Sequence, residues 1–222
     1  MKTHLLITSM VFCCTCLLAP QRLCGQAGGI INTKHNLSAS GPGVIKVVGE
    51  SEICKFCHTP HAANPIAPLW NRFDPGTYYE TYKSKSLQAT VGQPTGSSRL
   101  CLSCHDGTIA LTKVYNESRP IAGTIFISSG DAGYIGTKLD DDHPISFVYD
   151  AALAAKNRKL HNPAGLPSDL PLDAQNQLQC STCHDPHNNG FGQFLRVDNR
   201  GSQLCVSCHN VENWRSSSHA TS

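Results

Sequence analysis

One five-residue pattern recurs four times and limits what the rest of the chain can become. It reads Cys54-Lys-Phe-Cys57-His58, Cys101-Leu-Ser-Cys104-His105, Cys180-Ser-Thr-Cys183-His184 and Cys205-Val-Ser-Cys208-His209. C-x-x-C-H is the attachment pattern of c-type haem. Two thiols at i and i+3 lie on one side of a helical turn, where both can add to the haem vinyl groups. The adjacent histidine offers the iron a nitrogen from one face. The eight cysteines are therefore read as cofactor-binding, and His58, His105, His184 and His209 as iron ligands. The expected cofactor is four covalently attached haem c groups. C-x-x-C pairs also hold zinc, but zinc does not require a histidine after each second cysteine.

The composition asks for such a cofactor. Only 15% of the 222 residues are charged, and 18 Gly and 13 Pro punctuate a chain rich in Ser, Thr, Asn and Gln. That mix predicts much loop and little regular structure, too little for an ordinary apolar core. A tethered haem is a large flat apolar body around which chain can wrap. The expected fold class is a multihaem cytochrome c: mostly irregular loops, with short α-helices and few short strands, wrapped around four covalent haems.

Residues 1–27 read as a signal peptide. Lys2 and His4 precede an apolar run from Leu5 to Leu18, too short for a comfortable membrane span. Gly25-Gln26-Ala27 supplies small residues for cleavage before Gly28; the alternative is a retained N-terminal anchor. Cys13, Cys14, Cys16 and Cys24 leave with this segment, so each of the eight remaining cysteines belongs to a haem motif. Met1 and Met10 leave too, and Met/His ligation of the kind that raises cytochrome potentials becomes impossible. The remainder carries 16 basic and 16 acidic residues. It has no basic stripe for nucleic acid and no polybasic patch for a membrane surface.

Along the remaining chain, Val44 to Val48 and Ile121 to Ile127 read as strands. Tyr78, Tyr79 and Tyr82 sit in a short segment with helical character. Asp150 is placed to cap a helix over Ala151 to Leu160, and Pro163, Gly165, Pro167 and Pro171 stop it and make a linker. The run Asp140-Asp141-Asp142 reads as a solvated turn.

Two blocks repeat at the scale of whole segments. His35-Asn-Leu-Ser, CKFCHTPH and LCLSCHDG in the first match His143-Pro-Ile-Ser, CSTCHDPH and LCVSCHN in the second. Residues 28–139 and 140–222 are thus read as two haem-pair modules of one compact unit. Each block holds two attachment motifs and two further histidines: His35 and His61 in the first, His143 and His187 in the second. These four are the expected distal ligands; His161 and His219 fall outside the scheme. His61 follows His58 by three residues, which span at most about 10 Å. That is too short to reach around one macrocycle, so His61 serves a neighbouring haem. His187 is moved off the haem of His184 by the same limit. A proximal and a distal ligand three residues apart hold two haems close together.

An iron with two histidines has no open position for substrate and acts as a low-potential carrier. Electron transfer is the expected function, with no enzymatic activity. A multihaem reductase would need one iron without a distal ligand.

The stretches HNLSASGPG, CKFCHTPH, DDHPISFVYDAALAA and CSTCHDPH resemble the multihaem cytochromes with paired C-x-x-C-H motifs that metal-reducing and related bacteria export. Four haems in a chain of this length are similar in particular to extracellular tetrahaem cytochromes of the OmcE type. That resemblance implies bis-histidine ligation at all four irons, a location in the periplasm or outside the cell, and polymerisation into a filament with a continuous haem stack. It further implies that a histidine of one subunit completes a haem of the next, and His35, on its flexible lead-in, is the first candidate, with His219 second. The implied partners are further copies of the chain, other redox proteins and extracellular electron acceptors. A soluble periplasmic shuttle is the alternative.

Overall fold

The structure, a computed structural model, describes residues 29–210 together with 212 and 214. The expected signal segment 1–27 and His219 lie outside them. Regular structure is sparse, as the composition requires. Among the described residues there are four α-helices, α1 (Gly96–His105), α2 (Ala151–Lys156), α3 (Cys180–Cys183) and α4 (Gln203–Cys208). The described residues also include four two-residue strands, which form two separate ribbons. β1 (Glu80–Thr81) pairs parallel with β2 (Lys138–Leu139), in the register Glu80 to Lys138. β3 (Phe147–Val148) pairs antiparallel with β4 (Gln177–Leu178), with Phe147 opposite Leu178. No described helix is long and apolar enough to cross a membrane.

The apolar interior is divided into three small clusters, and each packs on an attachment motif. Val47, Phe56, Val114 and Ile121 pack with Cys57. Tyr79 and Leu139 pack with Leu102, inside the second motif. Phe147, Tyr149, Leu153 and Leu178 pack with Cys208. Most buried side chains between these clusters are polar and hydrogen-bonded, which is how an interior short of apolar residues avoids unsatisfied groups.

The two halves meet through α1 and α3. α1 starts with Gly-Ser-Ser, poor helix formers, and its N-cap Thr95 makes no side-chain cap bond. Tertiary contacts hold it instead. Ser98 Oγ donates to Gln179 Oε1 at 2.6 Å and accepts from the Cys180 backbone N–H at 2.9 Å. Ser97 and Ser181 hydroxyls lie 2.6 Å apart. The longest of the described helices therefore carries the second motif and is fastened to the third.

Several local expectations need correction. Residues 44–48 pass from a bend to a turn and form no strand: Val44 and Val48 are exposed, and only Val47 turns inward, with its N–H bonded to Leu37 O at 2.8 Å. Residues 121–127 form no ladder and bend at Gly123, touching 111–112 through Leu111 N–H to Ile125 O and Thr112 Oγ1 to Gly123 O. The tyrosine segment is extended and leads into β1; Tyr79 is fully buried and donates to Asp106 Oδ2 at 2.6 Å. Asp150 does cap α2, its Oδ1 accepting from Leu153 N–H at 2.8 Å. That helix ends at Lys156, however, because the chain after it is recruited to pair with the fourth motif.

Candidate haem-binding centres

Each attachment motif forms a helical turn that sets its two thiols on one side. The turn is 3₁₀ at Cys54–Phe56, and it is α-helical in α1, α3 and α4. In three of the four, the histidine that follows is fixed by the same antiparallel backbone clamp. The Cys57 carbonyl accepts from Asn71 N–H at 2.9 Å, and Thr59 N–H donates to Leu69 O at 2.9 Å. The Cys183 carbonyl accepts from Arg196 N–H, and Asp185 N–H donates to Phe194 O. The Cys208 carbonyl accepts from His161 N–H, and Asn210 N–H donates to Lys159 O. His58, His184 and His209 thus sit opposite Trp70, Leu195 and Leu160 in isolated bridges. His105 differs: helical backbone continues through it to Asp106, and its carbonyl receives Ile135 N–H at 2.8 Å.

The imidazoles fall into facing pairs. His35 and His105 have ring centroids 6.0 Å apart, His58 and His187 6.0 Å, and His143 and His209 6.3 Å. A metal bound on both sides by imidazole nitrogens at about 2 Å, with about 1 Å more to each ring centre, separates two axial rings by about 6 Å. The three pairs therefore have the spacing for one iron between each. Their planes differ by 68°, 18° and 81° respectively.

The outer nitrogens support the same chemistry. Nδ1 of His105 lies 2.6 Å from Gly133 O, that of His184 2.9 Å from Gln193 O, that of His143 2.9 Å from Pro144 O, and that of His35 3.2 Å from Pro186 O. A carbonyl accepting from Nδ1–H fixes the tautomer and leaves Nε2 for the metal. His58 Nδ1 is buried with no hydrogen-bond partner. Burial holds His35, His58 and His209 below the usual histidine range, and neighbouring histidines push the same way. Neutral imidazole is the ligating form.

Successive motifs are also neighbours through their thiols. Burial pushes Cys57 up to about 12, with Cys104 adding to the effect, and Cys183 up to about 11, with Cys208 adding. Interaction between the Cys101 and Cys180 thiols raises the first and lowers the second. The attachment points thus form a row from the first motif to the fourth, crossing between the halves at Cys101 and Cys180.

The structure places most of the sequence-derived ligands together but not all. His187 faces His58, across the duplication and away from His184, as its short tether demands. His143 faces His209. His35, expected to reach a second copy, instead faces His105 of its own chain, with the Phe194 ring stacked on it at 4.1 Å. Its lead-in is anchored by the fully buried Asn36 and Ser38 and is not a free arm. His61 is exposed and, like His184 and His161, makes no ring contact among the described residues. No group of three or more His, Cys, Asp or Glu side chains among the described residues could hold a metal ion, as a structural zinc site would. The clamp residues Asn71 and Arg196 carry no signal in the sequence: they differ in residue type and lie 14 and 13 positions after the second cysteine of their motifs.

Residues 171–213, which contain the third and fourth motifs, match the family described as the doubled CXXCH motif. Among curated proteins, none matches the chain. A paired C-x-x-C-H domain binds haem c covalently and supports a multihaem c-type cytochrome whose role is electron transfer.

Proposed function

We propose that this chain is a four-haem electron carrier in which each iron takes two histidines. The observation that carries this reading is the spacing of the imidazole pairs, 6.0, 6.0 and 6.3 Å between centroids. The cysteine pairs 54/57, 101/104, 180/183 and 205/208 hold the haems. His58 with His187, His105 with His35 and His209 with His143 hold three irons. His184 holds the fourth from one side. The bound haem supplies one-electron chemistry. The chain fixes ligand orientation through the Nδ1 contacts, excludes water with the three apolar clusters, and keeps successive attachment points adjacent. His187 ties two haems most directly, because the proximal ligand of one and the distal ligand of another are three residues apart.

The fourth iron motivates the polymer. His61 is exposed on the first half and His184 on the second, and no imidazole faces either in the described chain. His61 of one copy meeting His184 of the next would complete the ligand set and extend the row of haems, as in the extracellular filament-forming cytochromes that the sequence resembles. A pyridine haemochrome assay giving four haems per chain, together with negative-stain images of filaments at the cell surface, tests the proposal. A monomer in the periplasm makes the protein a shuttle. The open side of His184 favours one second reading: if the assembled protein still binds carbon monoxide at one reduced iron, that iron is a reaction site and the protein a multihaem reductase.

A further inference from the structure

The first half contains a charge that the second half lacks. Arg72 is completely buried, at 0% exposure. Its guanidinium is surrounded by backbone oxygens. Nη1 donates to Leu111 O at 2.7 Å and to Lys113 O at 3.0 Å; Nη2 donates to Ser103 O at 2.9 Å and to Ala110 O at 3.0 Å. Nε has no partner. None of the ion pairs formed by the described residues involves Arg72. Burying a guanidinium without a carboxylate costs several kcal/mol, and simple cross-linking of four carbonyls does not require a charge.

Its place is between two attachment motifs. Asn71, one residue earlier, is bonded to the Cys57 carbonyl, and Ser103, which accepts from Nη2, precedes Cys104. The charge also acts on the Cys57 thiol. The clamp gives the corresponding position in the second half. Asn71 matches Arg196, because each donates its N–H to the carbonyl of the second cysteine; Arg72 therefore matches Val197. Arg196 itself is a quarter exposed and has Asp185 Oδ2 3.7 Å from Nη1. The second pair has no equivalent of an enclosed, unpaired positive charge at this position.

Resting on the four-haem reading above, we infer that Arg72 is a fixed internal charge that raises the reduction potential of the two haems held by the first and second motifs relative to the pair held by the third and fourth. Reduction adds one electron to an iron that keeps its ligands. A nearby positive charge stabilises the reduced form, and the low dielectric of a closed interior leaves that effect little screened. The four carbonyls hold the guanidinium in place and deny it the mobility to relax around either state. The electron comes from the donor or from the neighbouring haem, and Arg72 exchanges no proton. The chain thereby has unequal ends, and electrons settle first on the pair nearest Arg72.

The test is a haem-resolved redox titration, by NMR or EPR, of the holoprotein and of Arg72→Gln and Arg72→Lys. Arg72→Gln lowers the equilibrium constant for reducing the first-pair haems about tenfold, a shift of about 59 mV for one electron, and leaves the second pair in place. Arg72→Lys, which keeps the charge but breaks the fork, restores the potential and not the melting temperature. Unchanged potentials in Arg72→Gln, or an equal shift of all four, overturn the inference and leave Arg72 a structural cross-link. Should Arg72→Gln fail to fold, the order of reduction in the unmodified protein decides: the second pair reducing first overturns the inference. A haemochrome count other than four refutes the four-haem reading instead, so the two failures are distinguishable.

Discussion

The first and third motifs, 126 residues apart, differ in both residues between their cysteines and in the loops that follow, yet their backbones do the same thing. In each, the chain leaves the histidine, makes a surface excursion, and returns to bond the second-cysteine carbonyl. In each, a side chain of the returning strand reaches the residue after the first cysteine: Asn71 Nδ2 donates to Lys55 O and Arg196 Nε to Ser181 O, both at 2.6 Å. Leu69 and Phe194, at matching positions, both take left-handed backbone, with φ of 60° and 58°. Such bulky residues adopt that region only when the surroundings impose it. The fourth motif has the clamp as well, but takes it from residues 159–161 upstream, and the second has none. What the duplication preserves is a way to hold a histidine, more than the residues that do so.

The largest expected effect tests whether the first and third motifs are equivalent as anchors. Replacing Cys54 and Cys57 by alanine, or Cys180 and Cys183, removes one haem per chain by the haemochrome assay. The first pair of substitutions leaves the apolar cluster of Phe56 and Val114 facing water. The second also disturbs the junction of the halves where α1 packs on α3. The 180/183 variant therefore loses more folded protein. Equal yields would mean that the halves are held together elsewhere.

Next in size are the distal ligands. His187→Ala leaves His58 without its facing ring and gives a five-coordinate iron that binds carbon monoxide when reduced, in monomer and polymer alike. His61→Ala gives the same signature only in assembled material and lowers filament yield. If His61→Ala opens an iron in the isolated chain, His61 serves His184 within one copy and the asymmetry between the halves disappears.

The clamp side chains give a smaller difference. Asn71 is 1% exposed, and besides Lys55 O it satisfies Asn116 N–H at 2.9 Å through Oδ1. Asn71→Ala leaves two buried backbone groups unpaired and costs about 3 kcal/mol. Arg196→Ala exposes one carbonyl at a wetter site and costs about 1 kcal/mol. Urea melts of the two variants should differ in midpoint by that ratio; reversed midpoints would contradict the burial difference.

The scarcity of regular structure and the separation of His187 from His184 were legible in the sequence, because a Gly- and Pro-rich composition and a three-residue tether leave few choices. The strands at 44–48 and 121–127 were not. Apolar β-branched runs announce burial, but here Val47 and Ile121 are buried singly against Phe56 and no partner strand is available. α1 was missed for the opposite reason: Gly96-Ser97-Ser98 carries no helical preference, and the hydroxyls that disfavour an isolated helix are the groups that fasten this one to Gln179, Cys180 and Ser181. That His35 faces His105 of its own chain is not legible in the sequence, because its polar, Gly-rich surroundings read as a loose arm. Asn36 and Ser38 turn that arm inward with local side-chain bonds.

The smallest effect concerns how the fourth motif acquires its clamp. α2 has no counterpart in the first half. It delivers Lys159, Leu160 and His161 to the strand that pairs with Cys208, His209 and Asn210, and Tyr149 Oη donates to His161 O at 2.6 Å just before it. Its start is fixed by Asp150, and its six residues are too few to be stable alone. Asp150→Ala should cost about 1 kcal/mol, and that loss should fall locally. Hydrogen exchange at His161, His209 and Asn210 amides should quicken, while the amides of Thr59, Asn71, Asp185 and Arg196 stay protected. Asp150→Ser, which keeps a side-chain acceptor for Leu153 N–H, should return most of the protection. Uniform quickening across all three clamps would mean that they open as one unit, and that the borrowed clamp is no weaker than the two built from their own loops.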